Sequence, residues 1–443
     1  MGILEFLGIK KKIESFRTSE VFRTSGVPIH TFVERTQLEL QIEDSLDAHD
    51  KALFFLGYSK SGKTVYRKKL IEDKKPNKVV FRCNNSSQIS ELYDFIASEL
   101  QLGQIITSAQ NDGGKWAVSS TGTVGKKDVA SVSSSISSEV SYSYIETKEH
   151  TKVRVDVNFL CTRIDKKRDL IIILEDYHLV DSEFNRTLSE DLKHFQDEEI
   201  LFLLIGIPSA PNRALKNNPD LSGRINYINF DYLLKEEIKE IISKGGLKLN
   251  VKFGEDVIDE IINVSLKNAF LVQNICKELV LGKGIKETTP KTVTITEKMD
   301  VKEACEKIAS SLDSDYLEIY NTITSGARKQ QKNKAFNQYE EIVKAIQNFE
   351  IEELEKGISY TDISHWSWSQ FTPGVIQKFI DNGTYQSEAS FKGALTNQIL
   401  QAVERINSNI EKNSVRPILY VDDKKVYLMD LIFKFYLNWK NGD

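Results

Sequence analysis

The sequence predicts an α/β fold: a parallel sheet built around a phosphate-binding loop, with an inserted β-ribbon, a helical lid and a C-terminal domain of helices and one hairpin. Three observations predict it. An apolar run at 53–56 empties into Gly57-Tyr58-Ser59-Lys60-Ser61-Gly62-Lys63-Thr64, a G-x-x-x-x-G-K-T pattern, and a helix-forming run at 65–72 follows. A second apolar run, Leu170 to Leu174, ends in Glu175 and Asp176. A buried parallel strand delivers carboxylates in this way to the ligand edge of a sheet. Around these two runs, apolar stretches of strand length alternate with amphipathic stretches of helix length.

The loop comes first because its chemistry is the most specific. Gly57 and Gly62 let the backbone curl, so that N–H groups of Ser59, Lys60, Ser61, Gly62, Lys63, Thr64 and Val65 converge on phosphates at the positive end of the next helix. Lys63 is expected to reach the β- and γ-phosphates and the Thr64 hydroxyl to ligate Mg²⁺, which makes ATP with Mg²⁺ the expected cofactor. Chance would write this pattern roughly 0.01–0.02 times in a chain of this length. The flanking strand and helix lower that further, so an ordinary Gly/Ser turn is set aside.

Composition bounds the rest. A chain of 443 residues has room for two or three domains with a sizeable core. A formal charge of −5 argues against coating nucleic acid by bulk electrostatics. No apolar run is long enough to span a membrane and the first residues lack a secretory pattern, so a cytoplasmic protein with no membrane partner is expected. Cys83, Cys161, Cys276 and Cys305 are far apart in sequence, without metal-ligand spacing, and read as reduced residues.

In chain order, residues 1–25 are a polar lead segment. Phe32, Val33 and Arg35 follow a Pro/Gly-bounded loop ahead of a predicted helix at 37–49, where a chain can wrap an adenine; a plain surface turn explains them equally. A second buried strand is expected at 78–83 and an amphipathic helix at 91–102. Residues 104–152 are serine-rich, with Val129, Val132, Ile136, Val140, Tyr142 and Tyr144 mostly at even intervals. That alternation predicts a β-ribbon inserted into the core; the low charge equally allows a loop, and its role is a partner contact or mere decoration. At the second apolar run the usual acid order is reversed. Glu175 takes the metal position and Asp176 the position of the base that polarises water. The shorter Asp suits slow hydrolysis. His178 reads as a packing residue. A helix at 187–195, a strand at 200–206, then Gly223-Arg224 and a last strand at 225–230 complete the core.

These pieces resemble prokaryotic STAND-type ATPases, relatives of AAA+ and origin-recognition ATPases. The resemblance rests on the phosphate loop, FVER at 32–35 (Glu34 standing where the family's F-V-G-R-E has glycine), ILEDYH at 173–178, LIGIP at 204–208 and DLSGRI at 220–225, and covers about residues 26–282. It implies an arginine before the last core strand that senses the γ-phosphate in cis or across a subunit interface, a role that falls to Arg224 and secondarily to Arg213. It also implies a polar sensor after the 200–206 strand, Ser209 or Asn212. The family's G-x-P at the last lid helix is missing from Lys267-Asn268-Ala269-Phe270.

The expected domains are a core at 26–232, lid and linker at 233–300, and a helical, winged-helix domain at 301–443. The last rests on a long helix at 390–410, a hairpin at 418–428 and a closing helix at 430–439. Residues 341–443 carry 11 basic and 14 acidic side chains, a net of about −3, where a DNA reader wants a basic face. Trp366 and Trp368 read as core. The expected function is a signalling ATPase that switches conformation or self-association and acts with a separate effector protein, a role the resemblance places in prokaryotic conflict and antiphage defence. The alternative is a DNA-associated AAA+ loader or transposition-type regulator, nucleic acid being the less favoured partner.

Overall fold

The structure is a computed structural model describing residues 14–48, 50–71, 74–75, 77–102, 105–108, 119–120, 150–152, 155–165, 169–207, 223–230, 232–325, 336–412 and 418–440. Its centre is a five-stranded parallel sheet: β1 (Ala52–Leu56), β2 (Lys78–Arg82), β3 (Ile171–Glu175), β4 (Leu201–Gly206) and β5 (Ile225–Asn229), in the spatial order β2-β3-β4-β1-β5. Strands β1, β3 and β4 are buried at every position, which is why they are runs of apolar residues, closed by Glu175 in β3 and Gly206 in β4, rather than alternating ones. Leu53, Phe55, Ile171, Ile173, Leu203 and Ile205 pack on one face with Leu38, Ile42 and Leu46 of the Thr36–Ala48 helix. Phe54, Ile172, Leu174, Phe202 and Leu204 pack on the other with Phe184, Leu188, Leu192 and Phe195 of the Ser182–Asp197 helix. The register sets Leu56 against Gly206 and Asn229, and Arg82 against Glu175. All five carboxyl ends therefore meet at one edge.

Three expectations change. Strand β2 lies at the sheet edge and is only partly buried, because one of its sides has no neighbouring strand. The helix after the phosphate loop is α-helical only over Lys63–Tyr66 and continues as a π turn over Arg67–Ile71, a widening that recurs near functional sites. The linker expected within 233–300 is partly built into the fold. Val293–Ile295 pairs in parallel with Val251–Phe253, and the Lys298–Ser311 helix follows directly, because Ile295 is fully buried and anchors the crossing.

Within the serine-rich insertion, Ile105–Ser108 lies between Ser119–Ser120 and His150–Lys152 in an antiparallel sheet. The even-spaced residues from Val129 to Tyr144 lie outside the described residues. Part of the lead segment is fastened to the lid: Thr18 is buried, with its N–H donating to Lys286 O at 2.9 Å. Phe22 fills the space where a Cβ on Gly245 would come within 2.2 Å of its ring. The C-terminal hairpin, Leu419–Asp422 with Lys425–Leu428, turns on Asp423 and Lys424, both at positive φ (47° and 57°), as a two-residue hairpin turn requires. A third strand, Ile358–Ser359, joins it. Buried side chains of the lid and of the C-terminal helices form one contiguous apolar cluster.

Candidate nucleotide site

At the carboxyl edge of the sheet lies a cleft of about 680 Å³, lined by the loop from Ser59 to Val65, by Glu175, Asp176 and His178, by the end of β4, and by segments from both ends of the chain. The loop owes its course to two glycines with different tasks. A Cβ on Gly57 would sit 2.6 Å from Ser61 Oγ and 2.9 Å from Phe230 Cβ, so only glycine allows the loop to fold this tightly. Gly62 has φ +101° with no atom within 4 Å of its Cβ position, so there the constraint is backbone conformation. Lys60, at φ 63°, helps to curl the same turn.

Lys63 Nζ donates to Tyr58 O at 2.7 Å and to Gly57 O, with Ser61 Oγ at 3.4 Å. Burial pulls its pKa down to about 7, against the opposing pull of Asp176. Asp176 in turn is pushed above the ordinary carboxylate range by burial and by neighbouring Glu175, with Lys63 and Arg82 acting the other way. Lys63 and Asp176 both line the cleft, close enough for their charges to act on one another.

Glu175 lines the cleft with both of its carboxylate oxygens engaged by arginines. It is buried, with Oε1 3.2 Å from Arg67 Nε, while Oε2 accepts from Arg82 Nε at 3.2 Å. Arg67 follows Thr64 by three residues on the same helix, and Arg82 is the register partner of Glu175 on β2. Neither neighbour is visible from motif spacing. The exposed Thr64 and the carboxylate of Asp176 line the cleft. The Thr64 hydroxyl fits a Mg²⁺ that arrives with the phosphates, since Mg²⁺ keeps several waters and needs only one or two protein oxygens. Among the described residues no cluster of three acidic, histidine or cysteine groups could hold a metal alone.

Phe32, Val33 and Arg35 do not line the cleft. Phe32 packs on Tyr66 at 5.6 Å under the Lys69 ammonium. Val33 O accepts from the Tyr66 hydroxyl, and Arg35 bonds Tyr66 through its N–H and Glu237 through Nε at 3.2 Å. They tie the loop helix to the lid, and the segment just before them, Arg23, Thr24, Gly26, Val27 and Pro28, supplies the lining instead. Their apolar and ionic character is spent on Tyr66 and Glu237.

Arg224 stands at the opposite edge of the sheet. Its carbonyl accepts from Ala52 N–H, and Nη1 donates to Gln196 Oε1 at 3.3 Å with Asp197 at 3.8 Å. Ile225 pairs with Ala52 while Asn229 pairs with Leu56, so Arg224 lies about 16 Å along the strand from the loop. A role in cis is closed to it. Arg213, Ser209 and Asn212 lie outside the described residues.

Sequence reasoning missed the lid and the C-terminal contribution. Asn268, buried, caps the Ala269–Gly282 helix through Phe270 N and Leu271 N and donates to Ser59 O at 3.5 Å. Lys60 Nζ stands 3.8 Å over the Phe270 ring. Asn268 before an apolar helical run is a readable cap; its contact with the loop is not. Met429 and Asp430, from the junction of hairpin and closing helix, also line the cleft.

No family model and no curated relative matches the chain. Among solved structures, the Walker-type ATPase Paby2304 of Pyrococcus abyssi is 12% identical over 92% of this chain and 96% of that one, with a TM-score of 0.47. Cdc6p of Pyrobaculum aerophilum is 14% identical (95% and 97% covered, TM-score 0.40), and the RuvB Holliday junction branch migration motor of Thermotoga maritima 10% (93% and 97%, TM-score 0.36). The fold itself rests on the chain's own sheet. Its strand order, with the loop after β1 and the acids after β3, is that of a P-loop ATPase fold of the AAA+ type.

Proposed function

We propose that this chain binds and slowly hydrolyses ATP as a conformational switch. One observation carries the reading: the phosphate loop, the lid helix and the C-terminal Met429 and Asp430 all line a single cleft. Asp430 caps the Leu431–Trp439 helix and accepts from the Tyr316 hydroxyl at 2.7 Å, and Met429 is buried against the sheet's apolar face. A triphosphate entering beside this carboxylate changes the electrostatic balance of the C-terminal unit directly, which links occupancy to the position of the 301–443 region.

When bound, Mg²⁺ would supply charge neutralisation on the phosphates, with Thr64 as its protein ligand. Lys63 holds the phosphate oxygens, and Asp176 accepts the proton of the attacking water. Its raised pKa helps a base hold that proton, while its short side chain favours a slow reaction. Glu175, engaged by Arg67 and Arg82, positions the two cations. Arg224 serves a neighbouring subunit, so hydrolysis depends on self-association.

The C-terminal helices and hairpin act as a winged helix in packing and partner contact. The STAND-like motifs favour a defence switch that works with an effector protein. Loading onto duplex DNA is disfavoured by the acidic balance of that region.

The test compares ATP turnover by the full chain with Lys63→Ala and Asp176→Asn variants, with mass photometry in each nucleotide state. Loss of turnover in both, and a change in assembly with ATP, is expected. Undiminished hydrolysis by Lys63→Ala refutes the site.

A further inference from the structure

Gln273 lies on the lid helix one turn beyond Ala269 and Phe270, 4% exposed, and lines the cleft together with Val27 and Pro28. Its Nε2 donates to Thr31 Oγ1 at 2.6 Å, and the Thr31 hydroxyl in turn donates to Val21 O at 3.3 Å. That chain decides which way the amide faces. A hydroxyl has one proton; Thr31 gives it to a carbonyl that can only accept, so Thr31 must receive from Gln273, and the nitrogen is the only atom of the amide that can give. The oxygen is thereby held on the other side. Gln273 Oε1 is buried and has no hydrogen-bond partner among the described residues.

A buried acceptor with no donor is costly to leave so. Gln273 lines the cleft with apolar Val27, Pro28, Ala269 and Phe270 and with Arg23, Thr24 and Lys60, a mainly apolar surface with a few placed polar groups of the kind that receives a flat heterocycle. We infer that Gln273 Oε1 is the specificity-determining acceptor for the exocyclic amine of the nucleotide's base, which selects adenine over 6-keto purines. Adenine offers N–H donors at C6, whereas a 6-keto purine presents an acceptor that would face the oxygen. Thr31 is the positioning residue: without its hydroxyl the amide is able to turn and offer its NH₂ instead. The inference rests on the proposed nucleotide site and adds to it the residue that reads the base.

The experiment is calorimetric titration of the full-length chain with Mg²⁺ and ATP, ITP (6-keto, no 2-amine) or purine riboside triphosphate (hydrogen at C6). GTP is avoided because its 2-amine could reach the same oxygen with the base turned over. ATP is expected to bind about tenfold to a hundredfold more tightly than ITP, with the purine analogue between them. Gln273→Leu should bring the ATP/ITP ratio close to one. Thr31→Val should narrow the ratio chiefly by improving ITP, a pattern that simple damage to the lid would not produce. Equal binding of ATP and ITP by the unaltered chain overturns the assignment to Gln273 while leaving the phosphate site intact. A preference that survives Gln273→Leu also overturns it, since the amine then has another partner. Failure of all three nucleotides to bind refutes the site and the inference together.

Discussion

Glu175 carries two ion pairs of the same length, 3.2 Å, that differ in one respect: the Arg67 side chain is 6% exposed and the Arg82 side chain 81%. Replacing each arginine by methionine, which keeps the packing of the stem, isolates the effect of burial. Arg67→Met removes a partner from a buried carboxylate, a change that costs about 3 kcal/mol or more. Arg82→Met removes a solvated partner, where the coupling is screened and is worth less than about 1 kcal/mol. At about 2–4 °C per kcal/mol for a core of this size, the expected losses in the unfolding temperature of the core are about 6–12 °C and under about 4 °C. Differential scanning calorimetry of the full chain in chelator, without nucleotide, measures both. Repetition in high salt should erase the Arg82 effect and leave most of the Arg67 effect. Equal losses, or a larger loss for Arg82→Met, would refute the reasoning that exposure, not distance, sets the value of these pairs.

The two loop glycines should fail for different reasons. Gly57→Ala should cost about 1–3 kcal/mol by overpacking, and Ser61→Ala in the same chain should restore part of it in urea denaturation. Gly62→Ala should cost about 1–2 kcal/mol through its positive φ, and Ser61→Ala should restore none. Lys63, with its pKa lowered to about 7 by burial, must be charged to hold phosphate. Nucleotide affinity should therefore fall with rising pH above 7, by up to about tenfold per unit, whereas Lys63→Arg should give a flat profile in calorimetric titrations. The linkage to folding has the opposite slope: the unfolded chain keeps this proton up to the ordinary lysine range, so the contribution to stability rises with pH between the two values. In the C-terminal region, Lys434 Nζ donates to Ile346 O, Gln347 O and Phe349 O at 2.6–3.0 Å, closing the Gln338–Asn348 helix. Lys434→Met should cost about 1–3 kcal/mol, read as a lower denaturation midpoint, by leaving those buried carbonyls unpaired.

By itself the sequence determined the elements whose physics is local. Apolar runs at 53–56, 170–174 and 200–206 had to be strands buried on both faces, and Gly57 and Gly62 had to form a tight loop between a strand and a helix. The Asp423-Lys424 hairpin and the amphipathic lid helices were legible for the same reason: short-range patterning dictates them. Tertiary structure decided everything that depends on which distant groups meet. Arg67 and Arg82 reach Glu175 only because a helix and a neighbouring strand bring them there, and Arg224 lies far from the loop only because β5 runs parallel to β1. Phe32, Val33 and Arg35 turned from the cleft to Tyr66 and Glu237, while Gln273, Thr31 and Asp430, none of them in a motif, came to it or beside it. Spacing along a chain fixes neighbours within a strand or a turn; contacts across hundreds of residues depend on packing, which no local pattern encodes.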